Sequence, residues 1–247
     1  MRLLYWLLDL IFPRKCALCG KLLRKDETDY CHGCRINSPY FPVLEEKVHP
    51  SGKTELRFLD SVTAVWYYKR NVRRAILRLK FQGARFLAVP LGRSLAMKVL
   101  STHSAGFDYL TWVPVSGKRK RKRGYDQSLL LAKALGEELG MEPKPLLKKV
   151  RDNPAQSGLS PEKRRGNVSG VYAPVGEIDL TGKRVLLIDD VFTTGSTAEE
   201  CARVLLTAGA KSVSCAAVAA APGAEVREKT GNECILLVDA EPQHFHK

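Results

Sequence analysis

The chain has 247 residues, of which 45% are hydrophobic and 27% are charged. This length can bury a sizeable core, and this composition excludes a fibrous or largely disordered protein. Lys and Arg number 40 against 26 Asp and Glu, so the formal net charge is +14. Such an excess favours polyanionic ligands, namely nucleic acids, phosphates or anionic lipids, without selecting one of them.

The chain opens with a short, apolar and amphipathic segment, MRLLYWLLDLIFP. A spanning helix needs about 20 apolar residues and a secretory signal needs a small-residue cleavage site, so the segment fits neither. We expect a helix that packs on the domain behind it. Transient membrane contact through Trp6, Leu7 and Leu10 is the alternative. No later stretch is long enough to span a bilayer, so the sequence predicts a soluble, cytoplasmic protein without a stable membrane span.

Two pairs of cysteines follow, each with a two-residue spacer: Cys16 and Cys19, then Cys31 and Cys34. Two such pairs can supply four thiolates to one tetrahedral Zn²⁺, because each spacer turns the chain so that both sulfurs point inward. Four buried cysteines without a metal are the alternative, and disulfides fit poorly in a chain without an export signal. We expect a structural zinc module within residues 1–38, where the metal supplies much of the folding free energy. It would brace the larger domain or present itself to a partner.

Short apolar runs alternate with amphipathic stretches in residues 59–247, behind a predicted linker at residues 39–58. The predicted strands are 61–68, 109–115, 146–150, 183–188, 213–219 and 234–238. The predicted helices are 72–81, 87–100, 127–139 and 196–208. This alternation predicts an α/β domain with a largely parallel sheet, which binds ligands at the carboxyl ends of its strands.

The segment VLLIDDVFTTGST, residues 185–197, places two carboxylates after a buried strand and before a loop rich in Thr, Gly and Ser. Asp189 and Asp190 are placed to accept hydrogen bonds from vicinal ribose hydroxyls. The loop can surround a phosphate with hydroxyl and N–H groups, and the next helix adds its positive end. Gly195 permits the tight turn and the close approach. An ordinary strand end followed by a helix start is the alternative.

An unbroken run of six cations, KRKRKR, occupies residues 118–123. A charge run is often a solvated surface, but this one follows a predicted strand end, so we expect a loop on the ligand-binding rim. Its cations suit a pyrophosphate group, and their number also suits the phosphates of a nucleic acid. Tyr125 and Trp112 lie near the run and are candidates for stacking on bases, although Trp112 also fits the core.

The segment 185–197 resembles the phosphoribosyl pyrophosphate motif of type I phosphoribosyltransferases. Together with VPV at 113–115, RGYDQ at 123–127 and the tetracysteine module, it resembles the ComF family over nearly the whole chain. The resemblance implies an amino-terminal zinc ribbon on a type I phosphoribosyltransferase-like domain. Some members serve natural transformation by handling single-stranded DNA. The family usually has Asn where this chain has Asp126, and the tail after Pro222 has no place in the family pattern.

The resemblance also implies roles for individual residues. Asp189 and Asp190 would hold the ribose 2- and 3-hydroxyls of phosphoribosyl pyrophosphate, with Mg²⁺ bridging its pyrophosphate and ribose. The 5-phosphate would be held by the loop residues Thr193, Thr194, Gly195, Ser196 and Thr197. The resemblance places a variable hood at residues 153–172. If the chain is an enzyme, we expect the departing pyrophosphate to be stabilised by Lys118, Arg119 and Arg123, and by Arg164 or Arg165 when the hood closes.

Three functions remain open from the sequence. In the first, the chain is a phosphoribosyltransferase: a nitrogen nucleophile of unidentified structure displaces pyrophosphate at the anomeric carbon. In the second, the donor is a ligand or signal, and the zinc ribbon with the basic run binds single-stranded DNA. In the third, the ribbon docks a protein partner such as a helicase or a recombination or competence protein.

Overall fold

The structure is a computed structural model that describes residues 13–42, 56–151 and 170–221. Within these ranges there are six strands: β1 (Ser61–Tyr67), β2 (Tyr109–Trp112), β3 (Leu147–Lys149), β4 (Tyr172–Pro174), β5 (Arg184–Phe192) and β6 (Ser212–Ala220). Four of them form one sheet in the order β1-β6-β5-β2, and every neighbouring pair is parallel. The predicted α/β fold with a parallel sheet is therefore confirmed.

Six α-helices occur in the same ranges: α1 (His32–Asn37), α2 (Arg70–Phe81), α3 (Ala88–Thr102), α4 (Gly117–Arg123), α5 (Gln127–Leu139) and α6 (Ser196–Thr207). A short 3₁₀ turn, Arg85–Leu87, joins α2 to α3. The central strand β5 shows how the helices divide between the faces. Leu186 and Ile188 pack in a core with α2, α3 and α5, whereas Val185 and Leu187 pack in a second core with α6. Alternate strand residues point to opposite faces, so both faces of the sheet are covered.

The strand ends differ from the prediction in informative ways. The strand predicted at 109–115 ends at Trp112, before Pro114, which has no N–H for a ladder bond. The strand predicted at 183–188 continues to Phe192, because its last residues still pair with β6 as far as Ala220. The acidic pair therefore lies inside β5 and not after it. The segment predicted at 234–238 lies outside the described residues.

The third difference is a small ribbon beside the main sheet. The strand predicted at 146–150 is present as β3, but it pairs antiparallel with β4, which the sequence did not predict. Two of the three ladder pairs join Lys148 to Ala173 and Lys149 to Tyr172. The hood was assigned to residues 153–172 and no element was predicted for residues 173 and 174, so the strand character of β4 was missed.

The expectation that residues 118–123 form a loop is wrong, since they form helix α4. The Ser116 hydroxyl caps its start by accepting from the Arg119 N–H at 3.3 Å. Gly124 closes its end at φ +77°, with its N–H donating to the Lys120 carbonyl. Lys and Arg are good helix formers, and the helix lies at the surface, where water solvates the like charges.

The described start of the predicted linker pairs with β1. The Phe41 N–H donates to the Val65 carbonyl at 2.9 Å, and the Tyr67 N–H donates to the Pro39 carbonyl at 2.7 Å. The boundaries of the linker stay a prediction, because residues 43–55 lie outside the described ranges. No helix in the described parts of the chain has the length and apolarity needed to cross a bilayer. The apolar segment at residues 1–12 lies outside those parts.

Candidate functional site

The predicted phosphate loop follows β5 at the carboxyl end of the parallel sheet. Gly195 occupies the N-cap of α6 at φ +73°, a left-handed conformation that favours glycine. The Thr194 and Ser196 hydroxyls lie 3.0 Å apart across the turn, and the Glu199 N–H donates to the Gly195 carbonyl. This geometry leads a hydroxyl-rich turn directly into the amino terminus of a 12-residue helix, where the backbone dipole favours an anion.

Asp190 is buried and engaged on both carboxylate oxygens. Lys80 Nζ, from the last turn of α2, lies 2.7 Å from its Oδ1. The Gln127 Nε2 amide, from the start of α5, donates to its Oδ2 at 2.8 Å. Burial is the largest single effect and would lower the pKa of Lys80, but the charge of Asp190, its hydrogen bond to Lys80 and the charge of Asp189 together raise it. The ammonium group therefore stays charged beside the carboxylate.

Asp189 has a different environment. Its Oδ1 accepts from the backbone N–H of Asp190 at 2.8 Å and from the Ser128 hydroxyl at 3.4 Å. Burial, followed by repulsion from the neighbouring Asp190 charge, raises the pKa of Asp189 to about 7. The two carboxylates thus differ, because Asp190 lies against the Lys80 ammonium whereas Asp189 titrates near neutral pH.

Arg123, the last residue of α4, joins this network from the other side. Its Nη1 donates to the Oε1 atom of Gln127 at 2.5 Å, and its guanidinium lies over the Phe81 ring at 4.9 Å. The Gln127 side chain thereby accepts a hydrogen bond from Arg123 through its oxygen and donates one to Asp190 through its nitrogen. The acidic pair and the basic helix are connected by one amide side chain.

The remaining predicted cations are distributed unevenly. Lys118 is exposed and Arg119 is half-buried on α4, near the network that holds Arg123. Arg164 and Arg165, with the rest of the hood from residue 152 to residue 169, lie outside the described residues. Their part in a closed site stays a prediction.

Four cysteine sulfurs come together in the amino-terminal module. The Sγ atoms of Cys16, Cys19, Cys31 and Cys34 all lie within 4.8 Å of one another. A tetrahedron with Zn–S bonds of about 2.3 Å has S···S edges of about 3.8 Å, and the Cys19 and Cys31 sulfurs are 3.6 Å apart. None of the four is in a disulfide. The arrangement can hold a metal, and four thiolates suit a closed structural Zn²⁺ site.

Comparisons with known proteins agree with these features. The phosphoribosyl transferase domain family matches residues 126–246. A DNA utilization protein YhgH of Salmonella typhimurium is 34% identical over 80% of this chain and 86% of its own. This chain belongs to the ComF family. A competence protein ComFC of Streptococcus pneumoniae is 30% identical over 81% of this chain and 96% of its own. A competence protein F of Haemophilus influenzae is 28% identical over 82% of this chain and 95% of its own.

Asp126 stands where the resemblance drawn from the sequence leads us to expect Asn, and it has a structural role. Its Oδ1 accepts from the N–H groups of Ser128 and Leu129, which caps helix α5. Its Oδ2 accepts from the Val115 N–H at 3.1 Å, which ties the end of the β2 segment to the helix. Burial raises the pKa of Asp126, and these N–H groups partly offset that rise.

Two aromatic residues proposed for base stacking are poorly placed for it. Tyr125 is 7% exposed and its hydroxyl donates to the Leu79 carbonyl, so the stacking role predicted for this ComF-family residue is wrong. A buried ring cannot receive a base. Trp112 is half-buried at the end of β2 and packs against the main core.

Three contributors to the site were missed. Gln127 is the last residue of the RGYDQ string, so the ComF resemblance was a signal for it, and Ser128 is the residue that follows that string. Lys80 had no comparable signal, because it is one of several cations on helix α2. Only the folded chain shows that it reaches Asp190.

The cysteine module packs on the larger domain of this ComF-family chain. The Tyr30 hydroxyl donates to the Pro90 carbonyl at 2.8 Å, and its ring meets Trp66 edge-on at 5.7 Å. Arg93 Nη1 lies 2.9 Å from a carboxylate oxygen of Asp29. Asn71, in the first turn of α2, donates to the Cys34 sulfur at 3.7 Å. The cysteine module therefore shares contacts with helices α2 and α3.

Proposed function

We propose that this chain binds phosphoribosyl pyrophosphate together with Mg²⁺ at the β5–α6 loop. The observation that carries the proposal is the acidic pair near the carboxyl end of β5, followed at once by the Gly195 turn and the amino terminus of α6. Carboxylates can accept from two ribose hydroxyls, and the turn offers N–H and hydroxyl groups to a 5-phosphate. The family of the chain supports the same ligand, because a phosphoribosyl transferase domain matches residues 126–246.

Donor binding requires a rearrangement at Asp190. Both of its oxygens are engaged, by Lys80 and Gln127. A ribose hydroxyl would share this carboxylate or displace the neutral Gln127 amide, while Lys80 keeps its ion pair with the carboxylate. Asp189 would accept the second hydroxyl in its deprotonated form. Oxygen ligands suit Mg²⁺, which would supply positive charge beside the pyrophosphate and usually binds few protein carboxylates.

The same site suits pentosyl transfer. The carboxylates would orient the ribose, and the cations of α4 would stabilise the negative charge that develops on the departing pyrophosphate. Arg123 is the best placed of them, since it already contacts the Gln127 side chain bonded to Asp190. The acceptor is an unidentified nitrogen nucleophile.

Calorimetric titration of the donor with Mg²⁺ tests the proposal. We expect saturable binding by the intact chain and its loss in a variant with Asp189→Asn and Asp190→Asn, which keeps size and removes both charges. The control variant carries Asp179→Asn, an exposed carboxylate that caps the turn before β5. No binding by the intact chain, or equal binding by the double variant, would refute the proposed site.

A second role is favoured by helix α4. Its six consecutive cations include no buried side chain, and relatives of this chain carry the names competence protein and DNA utilization protein. We propose that α4 binds the phosphates of single-stranded DNA during natural transformation, an electrostatic contact that weakens with salt.

Fluorescence anisotropy with a labelled oligothymidylate tests this role. One variant removes four charges of α4 by Ala at Lys118, Arg119, Lys120 and Arg121. A charge-matched control replaces four exposed lysines elsewhere, Lys133, Lys148, Lys183 and Lys211. We expect the α4 variant alone to lose most affinity and to show a shallower dependence on salt. Equal losses in both variants would mean that only net charge matters.

A further inference from the structure

A corner of the molecule exposes two phenylalanines. Helix α2 ends at Phe81, and the chain turns through Gly83 at φ +68° into the 3₁₀ turn Arg85–Leu87. Phe81 is 65% exposed and Phe86 is 63% exposed. Leu79 and Leu87, which flank the corner, are buried. The two rings thus stand in solvent on a frame that is anchored in the core.

This corner abuts the end of the basic helix. The Arg123 guanidinium lies over the Phe81 ring at 4.9 Å, and the Arg85 guanidinium lies over the Tyr125 ring at 4.7 Å. Arg85 also approaches Gly124 so closely that a Cβ added there would lie 2.8 Å from its Nη2. The corner and the carboxyl end of α4 therefore form one continuous surface.

The chain segment that contains the corner carries charged side chains of a single sign. Residues 61–107 contain no Asp or Glu, and they contain nine cations: Lys69, Arg70, Arg73, Arg74, Arg78, Lys80, Arg85, Arg93 and Lys98. The carboxylates nearest to α4 in the network, Asp126 and Asp190, are 6% and 3% exposed and are hydrogen-bonded. Arg74 and Phe81 share one stripe of α2, seven residues and about 10 Å apart. Cations thus flank the rings on both sides.

We propose that Phe81 and Phe86 are base-stacking platforms of a single-stranded nucleic-acid surface that runs from α4 across this corner. The inference rests on the proposed DNA role of α4. Phosphates lie against Arg and Lys side chains, while unpaired bases stack on aromatic rings and on guanidinium planes. The Arg123–Phe81 pair offers both kinds of plane. A surface of this composition fits a single strand better than a duplex, whose bases are already stacked.

The test separates base contacts from phosphate contacts. Anisotropy measures the affinity of the intact chain for an oligothymidylate and for an abasic deoxyribose-phosphate strand of equal length. The variant carries Phe81→Leu and Phe86→Leu, which keeps apolar side chains and removes the rings. The control carries Met97→Ala and Leu100→Ala, two exposed apolar residues of α3. We expect the variant to lose roughly five- to hundredfold in affinity for oligothymidylate and little for the abasic strand.

A fluorescence measurement tests the same distinction between base contacts and phosphate contacts. Phe81→Trp places an indole on the surface, and oligothymidylate should quench its fluorescence whereas the abasic strand should not. If the intact chain binds neither strand, the DNA role itself fails and this inference fails with it. If both strands bind and the α4 variant weakens both, but Phe81→Leu with Phe86→Leu changes neither, only the stacking inference is overturned. An equal loss on both strands would also overturn it, since the rings would then act by placing Arg123.

Discussion

Lys80 Nζ lies 2.7 Å from Asp190 Oδ1, with the two side chains 20% and 5% exposed. This ion pair joins the last turn of helix α2 to the acidic pair of β5. The first turn of the same helix reaches the cysteine module through Asn71. One 12-residue helix therefore spans the distance from the proposed metal site to the proposed donor site.

Replacing Lys80 by Met tests how much this ion pair contributes to the free energy of unfolding. The variant leaves the Asp190 carboxylate buried with only the neutral Gln127 donor, so we expect the free energy of unfolding to fall by about 3 kcal/mol. Urea denaturation measures it. Arg73→Met, an exposed site on the same helix, should change stability by less than about 0.5 kcal/mol. Adding Asp190→Asn to Lys80→Met should recover much of the lost stability. If Lys80→Met alone is as stable as Arg73→Met, the ion pair does not contribute to stability.

The raised pKa of Asp189 predicts how stability depends on pH. Burial and the Asp190 charge raise this pKa to about 7, whereas the unfolded chain has a value of about 4. The folded protein therefore binds this proton more tightly than the unfolded chain does. The resulting stabilisation is fully present below about pH 4 and is lost as the pH rises through 7.

Urea denaturation between pH 5.5 and pH 8 measures this loss. Asp189→Asn has no titratable group at this position. As the pH rises from 5.5 to 8, the intact chain should therefore lose stability relative to the variant. A difference that stays constant over this range would show that Asp189 is already ionised at pH 5.5.

Metal removal should destabilise the larger domain as well as the cysteine module. Cys16, Leu18 and Cys34 belong to the same core cluster as Trp66 and Ile76 of the larger domain. We expect about one Zn²⁺ per chain by elemental analysis, and a fall of roughly 10 °C in Tm after chelation.

The matched variants for this experiment are Cys16→Ala and Cys201→Ala. Cys201 is fully buried but lies outside the sulfur cluster, so its variant should keep the metal. Cys16→Ala should lose it. Full zinc content in Cys16→Ala would refute the assignment of the four ligands.

Asp126→Asn introduces the residue that the resemblance drawn from the sequence leads us to expect at this position. The amide oxygen can still cap α5, but its NH₂ group cannot accept from the Val115 N–H. We expect a loss of about 1 kcal/mol in the free energy of unfolding, and about 2 kcal/mol for Asp126→Ala, which removes the cap as well. Thermal or urea denaturation ranks the stability of the intact chain, the Asn variant and the Ala variant. An Asn variant as unstable as the Ala variant would contradict the separate roles of the two Asp126 oxygens.

Much of the fold was readable from local pattern. Helix α5 begins at Gln127 and ends at Leu139 as predicted, because an Asp cap and a terminal Gly bracket an apolar period. The strands β5 and β6 were recognisable as continuous apolar runs, which is typical of buried parallel strands. The cysteine spacing and the segment 185–197 predicted two sites, and the cysteine cluster is present in the fold.

What the local pattern could not provide were contacts between residues far apart in the chain. Lys80, Gln127 and Asp190 come from three elements that meet only when α2 and α5 pack on β5. Likewise, Tyr125 and Phe81 are both aromatic residues beside cations, yet one is buried and the other exposed. The sequence by itself determined the periodicities and the motifs, since these depend on neighbouring residues. Only the tertiary structure decided which charges pair and which rings face water, because burial and pairing depend on how helices pack across the sheet.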